Sequence, residues 1–319
     1  MTPILIIASI LVAVVLLTSY ICFHITFYVT KAQKACTEEY PIPAGKAYEP
    51  WRDKMIDWIK ETRALPCREF FTRSFDGLML HGKFYEYAPG APIEIMIHGY
   101  RGNAERDLCG GVQRCFALGH SALVIDQRGS GKSQGNVITF GIREHQDCLK
   151  WIELLVEVFG PDVKIILTGI SMGASTVLMA AGQQLPKNVI GVLADCGYTT
   201  AKEIIKIVIR KLKLPANLAY PFVKLGAFLY GGFRLEKDSA ISAMSRCKIP
   251  VIFYHGESDD FVPCYMSQEN YNACTSKKQL VTIPNAGHGL CYLVDPEQYL
   301  STLKRFFPEE TLTAPNSNA

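Results

Sequence analysis

The chain has 319 residues, of which 49% are hydrophobic, with 33 basic against 30 acidic side chains. That length has room for one large domain with a substantial core, or for two small ones. A net charge of +3 argues against a nucleic-acid-binding surface and against an acidic disordered chain. Eleven cysteines, an odd number spread without tight pairs, fit reduced thiols better than a disulfide framework. None stands at Cys-x-x-Cys or Cys/His metal spacing, so no metal site is expected and most should be small buried apolar residues.

From Thr2 to Thr30 there is no Asp, Glu, Lys or Arg, and "ILIIASILVAVVLLTSYICFHITFYV" is long enough to cross a bilayer. Tyr20, Phe23, Phe27 and Tyr28 gather at its C-terminal end, where an aromatic belt sits, and Lys31 and Lys34 follow. A cleaved signal peptide fits less well, because the segment has no basic start, is too long and lacks a small-x-small cleavage site. Residues 1–34 therefore read as an uncleaved single-pass anchor to the membrane. The lysines after the span and the unpaired cysteines both lean the body toward the cytoplasm.

Residues 35–67 read as a linker with a short amphipathic helix over 51–63, in which Trp51, Met55, Trp58 and Ile59 recur at helical spacing. "REFFTRSFDGLMLHGKFYEY" reads as a hairpin turning at Asp76-Gly77. Strands follow at 93–97, 122–125, 163–168, 189–194, 250–254 and 279–283, with helices at 104–118, 143–159, after 171 and near 295–307. Strands separated by helices mean βαβ units and a largely parallel sheet, with ligands at the C-terminal strand ends. Residues 199–236 interrupt this rhythm with helical stretches divided at Pro215 and near Pro221. Ile204, Ile205, Val208 and Leu212 lie on one side and Lys202, Lys206, Arg210 and Lys213 on another. We read a helical cap over the site in preference to a second membrane-surface helix. The last residues, "TAPNSNA", read as a disordered tail within 308–319.

Within 163–183, a β-branched strand runs into Gly169-Ile170-Ser171-Met172-Gly173 and then into a small-residue helix. Strand, Gly-x-Ser-x-Gly and helix make a nucleophile elbow. The glycines let the strand pass close to the helix, and the sharp turn lifts the Ser171 hydroxyl to a helix N-terminus. A serine hydroxyl needs a base, and the base needs an orienting carboxylate, here in the order Ser, Asp, His. His288, in "PNAGHGLC" after the last strand, is the expected base. "HGESDDFVP" offers Glu257, Asp259 and Asp260 for the acid. Asp260 is the main rival to Asp259, and Asp195, one strand earlier, is a further alternative. Acyl chemistry also needs oxyanion donors. Met172 N–H is one, and Tyr100 N–H, in "HGYRGN" after the 93–97 strand, is the expected second, with His98 bonding within its own loop. "DQRGSGKSQG" lacks the spacing of a nucleotide-binding loop, because one residue separates Gly129 from Gly131.

Five segments, "HGYRGN", "DQRGSGKSQG", "GISMG", "HGESDDFVP" and "AGHG", together resemble the α/β-hydrolase superfamily over roughly residues 68–307. Within it the chain resembles membrane-anchored bacterial hydrolases akin to serine aminopeptidase-like and monoacylglycerol-lipase-like enzymes. The resemblance implies an α/β-hydrolase fold with a mostly parallel sheet, helices on both faces and a cap. It also implies a Ser171, Asp259, His288 triad, an acyl-enzyme mechanism and no cofactor. The His-Gly-x-x-Asp-x-x-Val-Pro pattern selects Asp259. An apolar cap and an anchor near lipid suggest a small-molecule acyl substrate, lipid-like or aryl and alkyl esters. A peptidase or amidase is the runner-up. A non-catalytic membrane scaffold is the competing class, but its signature, a broken triad, is not seen.

Overall fold

The computed structural model describes residues 3–35 and 37–308. Its strands are β1 (Arg68–Arg73), β2 (Met79–Tyr85), β3 (Ile93–Ile97), β4 (Ser121–Asp126), β5 (Ile165–Ile170), β6 (Val189–Asp195), β7 (Val251–Gly256) and β8 (Lys278–Ile283). They form one sheet in the order β1-β2-β4-β3-β5-β6-β7-β8. Only β2 breaks the parallel run of the six strands from β3 onward, pairing antiparallel with β1 and β4. The β1–β2 hairpin turns at Asp76-Gly77 as expected, with Gly77 at φ +89°.

The early helices are α1 (Pro3–Thr26), α2 (Lys31–Lys34), α3 (Arg52–Ala64), α4 (Ala104–Asp107) and α5 (Gly111–Ala117). Next come α6 (Glu144–Phe159), α7 (Met172–Ala181), α8 (Ala201–Lys211) and α9 (Ala216–Leu229). The last four are α10 (Ala240–Met244), α11 (Tyr265–Ala273), α12 (Cys291–Val294) and α13 (Pro296–Phe306). Every residue of β3, β4 and β7 is buried, which is why these strands are mostly apolar and lack a regular polar alternate. Side chains of opposite parity meet different helices. Ile95, Ile97, Ile165 and Leu167 pack with Trp151 of α6, Val177 of α7 and Met244 of α10. On the other face, Ile166, Leu193 and Ile252 meet Tyr299, Leu303 and Phe306 of α13, and Met96 meets Val112 and Cys115 of α5. Glu94 is one of four polar exceptions in these strands, with Ser121, Asp126 and His255. Fully buried, it bonds Arg114 at 2.6 Å, His120 at 2.8 Å and Thr168 at 2.7 Å, tying α5 to the strands that carry the site.

Three expectations are corrected. The helix predicted over 104–118 is broken, because Gly110 adopts φ +80° and a Cβ there would stand 2.3 Å from the Trp58 ring. The break is where α3 seats its tryptophan. Pro221 does not divide the cap. It lies in the second turn of α9, exposed, where its missing N–H costs one hydrogen bond, and only Pro215 ends a helix-free turn. Leu212 does not continue the side of Ile204 and Ile205, because α8 stops at Lys211 and Leu212, exposed, begins the turn.

Helix α1 is apolar and long enough to cross a membrane, and residues 3–17 are exposed along their whole length. The ten described cysteines are all free, six of them buried; Cys36 and the "TAPNSNA" tail lie outside the described residues.

Candidate active site

At the C-terminal end of β5 the chain reverses into α7 with Ser171 at φ +57°, ψ −118°. The backbone crowding that demands glycine on either side is direct. A Cβ on Gly169 would lie 2.2 Å from Gly173 O, and one on Gly173 would lie 2.0 Å from Ile97 O. The Ser171 N–H is spent on Asp195 O at 2.8 Å, which fixes the turn against β6 and leaves the hydroxyl at the sheet edge.

The loop after β8 brings His288 Nε2 to 2.9 Å from Ser171 Oγ, and its Nδ1 to 2.7 Å from Asp259 Oδ2. Asp259 lies on the loop after β7. Its Oδ1 accepts from the Phe261 and Val262 N–H groups at 2.8 and 2.9 Å. Burial pushes this carboxyl up, but hydrogen bonds from His255 and His288 outweigh it and hold it well below the usual carboxylate range. An ionised Asp259 makes His288 Nδ1 the donor, leaving Nε2 free to accept the serine proton. Of the other carboxylates considered, Asp260 is exposed and offers its carbonyl to Lys211. Glu257 takes Thr282 Oγ1 at 2.7 Å. Asp195 takes the Tyr299 hydroxyl at 3.2 Å, with burial raising its pKa. None of them bonds His288.

On the opposite side of Ser171 lies the loop after β3. The Gly99 N–H donates to Asp107 Oδ2 at 2.9 Å, and a Cβ on Gly99 would stand 3.5 Å from Ser171 Cβ. Among the described residues, neither the Tyr100 nor the Met172 backbone N–H donates to another group. His98 bonds within its loop as expected through Nδ1, but it also ties that loop to Gln127 after β4. Its Nδ1 donates to Gly99 O at 2.8 Å and its Nε2 accepts the Gln127 N–H at 3.1 Å, with burial lowering its pKa.

Four contributors escaped the sequence reading. Tyr48, in the stretch read as a linker, donates its hydroxyl to His288 O at 2.9 Å. Asp107 anchors Gly99. Buried His255 puts Nε2 within 3.3 Å of Asp259 Oδ2 and donates to Val262 O at 2.8 Å. Arg101, at φ +52°, follows Tyr100 directly. His255 and Arg101 each had a signal, their places in the "HGESDDFVP" and "HGYRGN" segments. A cleft of about 610 Å³ opens above Ser171 and His288, walled by Pro43, Tyr48, Met55, Tyr100, Phe261 and Leu293. Donor atoms of Cys196, Asp259 and His288 lie within 4.8 Å of one another. Two of these residues are already committed to each other, and burial pushes the Cys196 thiol well above its usual range, away from the thiolate a metal requires.

Residues 95–223 match the family model described as the alpha/beta hydrolase fold. The chain has the α/β-hydrolase fold. It is 28% identical over 190 residues to an uncharacterized protein, YqkD, of Bacillus subtilis, covering 59% of this chain and 62% of that one. It is 24% identical to the protein bem46 of Schizosaccharomyces pombe, over 91% of this chain and 90% of that one. Among solved structures, an esterase of Pyrococcus furiosus superimposes with a TM-score of 0.65 at 22% identity, covering 86% of this chain and 97% of that one.

Proposed function

We propose that this protein is a serine hydrolase that cleaves carboxylic esters through an acyl-enzyme intermediate. The observation that carries the reading is the unbroken chain from Ser171 Oγ to His288 to Asp259, at 2.9 and 2.7 Å. In that chain His288 Nε2 takes the hydroxyl proton as Ser171 Oγ attacks the ester carbonyl. The carbonyl oxygen becomes an oxyanion and accepts from the Tyr100 and Met172 N–H groups, which have no other acceptor to leave. As the tetrahedral intermediate collapses, His288 returns the proton to the departing alkoxide, releasing an alcohol. Water then enters, His288 takes one of its protons, and attack on the acyl carbon frees the acid and restores Ser171.

The apolar wall of Met55, Phe261 and Leu293 supports an apolar acyl or aryl group in the cleft, as lipid-like esters carry. Esterases among the superimposable structures agree with this class of reaction. The apolar exposed face of α1 supports membrane attachment, and Lys31 and Lys34 directly after it support a cytoplasmic catalytic domain.

The test is an ester series from short to long acyl chains, assayed on the full chain in detergent beside aminoacyl amides. The expected result is turnover of esters over amides, rising with acyl length, and a loss of about 10⁴-fold or more in kcat for Ser171→Ala. Cleavage of the amides alone would replace the esterase reading with a peptidase one. No turnover by a folded chain would remove it.

A further inference from the structure

The C-terminal turn of α1 sits against the oxyanion loop. The last carbonyls of a helix have no partner within it, and here two side chains of that loop take them. Arg101 Nη2 donates to Ile25 O at 2.7 Å and to Tyr28 O at 3.0 Å, and stands 3.5 Å from His24 O. The Tyr100 hydroxyl donates to Thr26 O at 2.7 Å. A guanidinium at this position also complements the negative end of the helix dipole. Arg101 itself takes the left-handed φ that disfavours any residue with a Cβ, so the loop's shape does not follow from local preference and needs an outside hold.

The helix is in turn held to the body. Ser19, Phe23 and Phe27 are buried, and Phe27 lies edge-on between Phe140 and Phe233 at 5.8 and 5.3 Å. Gly226 of α9 lets the two helices touch, since a Cβ there would stand 2.4 Å from Ser19 O. Beyond the helix, Val29 N–H bonds Asn136 O and Ile138 N–H bonds Phe27 O, both at 2.8 Å.

We propose that α1 is a retained working part of the site, and that Arg101 is a positioning residue that clamps the oxyanion loop to the helix end so that the Tyr100 N–H faces the reacting carbonyl. This rests on the serine-hydrolase reading above. A signal peptide removed after export would take the clamp with it, so the clamp requires that the mature chain keep α1.

The experiment uses the full chain in phosphatidylcholine nanodiscs, comparing wild type with Arg101→Met, which keeps the stem but has no donor, and Arg101→Lys, which restores one. Removing a single oxyanion donor costs about 10²–10³-fold in kcat, and loosening one should cost about 10- to 100-fold. The expected result for Arg101→Met is that loss in kcat with KM changed less than threefold, and a matching loss of affinity for a trifluoromethyl ketone, whose adduct forms an oxyanion. Arg101→Lys should recover most of both. Amide exchange over residues 98–102 should quicken in the Met variant whether or not esters are turned over. Unchanged kcat and exchange in Arg101→Met would overturn the clamp. A uniform loss of folded protein that Lys does not rescue would reduce Arg101 to a structural contact and overturn the positioning role. A mature N-terminus beyond residue 26, found by intact mass, would overturn retention of α1. Wild-type protein that turns over no ester would instead fail the hydrolase reading, with exchange still deciding the clamp.

Discussion

The two sides of Ser171 are built differently. Its elbow is set by backbone close approach, of Gly169 to Gly173 O and of Gly173 to Ile97 O on the neighbouring strand. Gly169, Gly173 and the carbonyls they pass leave one path for the chain, over strands buried on both faces. The loop after β3, by contrast, is held by side-chain hydrogen bonds, those to α1 from groups distant in sequence. Asp107 holds Gly99, α1 holds Tyr100 and Arg101, and Tyr48 reaches across the cleft to the His288 backbone. The nucleophile turn thus rests on backbone packing within the sheet, while the loop that we propose stabilises the oxyanion depends on contacts that close only when the N-terminal segments dock. Damage to α1 should therefore lower turnover more than it lowers nucleophile placement.

The largest effect outside the reacting groups is expected beneath the sheet. Burial pushes the Glu94 carboxyl up, and the nearby Arg114 charge and His120 outweigh it, holding it well below the usual carboxylate range. A depressed pKa contributes stability in full above the unfolded value of about 4.3. That contribution is lost as pH falls through the folded value. Glu94→Gln strands a buried Arg114 and should cost about 3–5 kcal/mol at pH 7. Denaturant unfolding at pH 7 and pH 3 should show the difference from wild type shrinking at the lower pH. A constant difference would mean that the carboxylate's charge is not what stabilises β3.

A smaller effect separates the two halves of the comparison. Gly226→Val forces α9 away from Ser19 O and should cost about 1–3 kcal/mol. Because the strain falls on the α1 contact, ester kcat should drop while fluorophosphonate still reaches Ser171. Equal loss of labelling and turnover would show that the elbow also depends on α1. Smallest is Tyr48→Phe, which removes one hydrogen bond to the His288 backbone. It should lower kcat about fivefold, as ~1 kcal/mol implies, with no change in melting. No change in kcat would leave Tyr48 as cleft wall alone.

What could be read in the sequence follows the same division. The hairpin at Asp76-Gly77, the strand–Gly-x-Ser-x-Gly–helix passage and the strand-end positions of Asp259 and His288 are local patterns, and the structure brings those side chains together. Asp259 could be separated from its neighbour Asp260 only by the family resemblance; in the structure the separation comes from the Phe261 and Val262 N–H groups and from His255. Gly110 looked like an ordinary helix residue because its reason, the Trp58 ring, lies some fifty residues earlier. Pro221 looked like a break because a proline past the first helical turn removes a hydrogen bond, a loss that α9 bears at an exposed position. Residues 43–48 looked like linker because their partners, His288 and the cleft, are more than two hundred residues away.

The most direct test of the central claim is to treat the full chain with a fluorophosphonate and locate the adduct by peptide mass spectrometry, beside Ser171→Ala. The account predicts one adduct, on the peptide containing Ser171, absent from the variant. An unmodified Ser171 in folded protein, or an adduct that persists in Ser171→Ala, would contradict it.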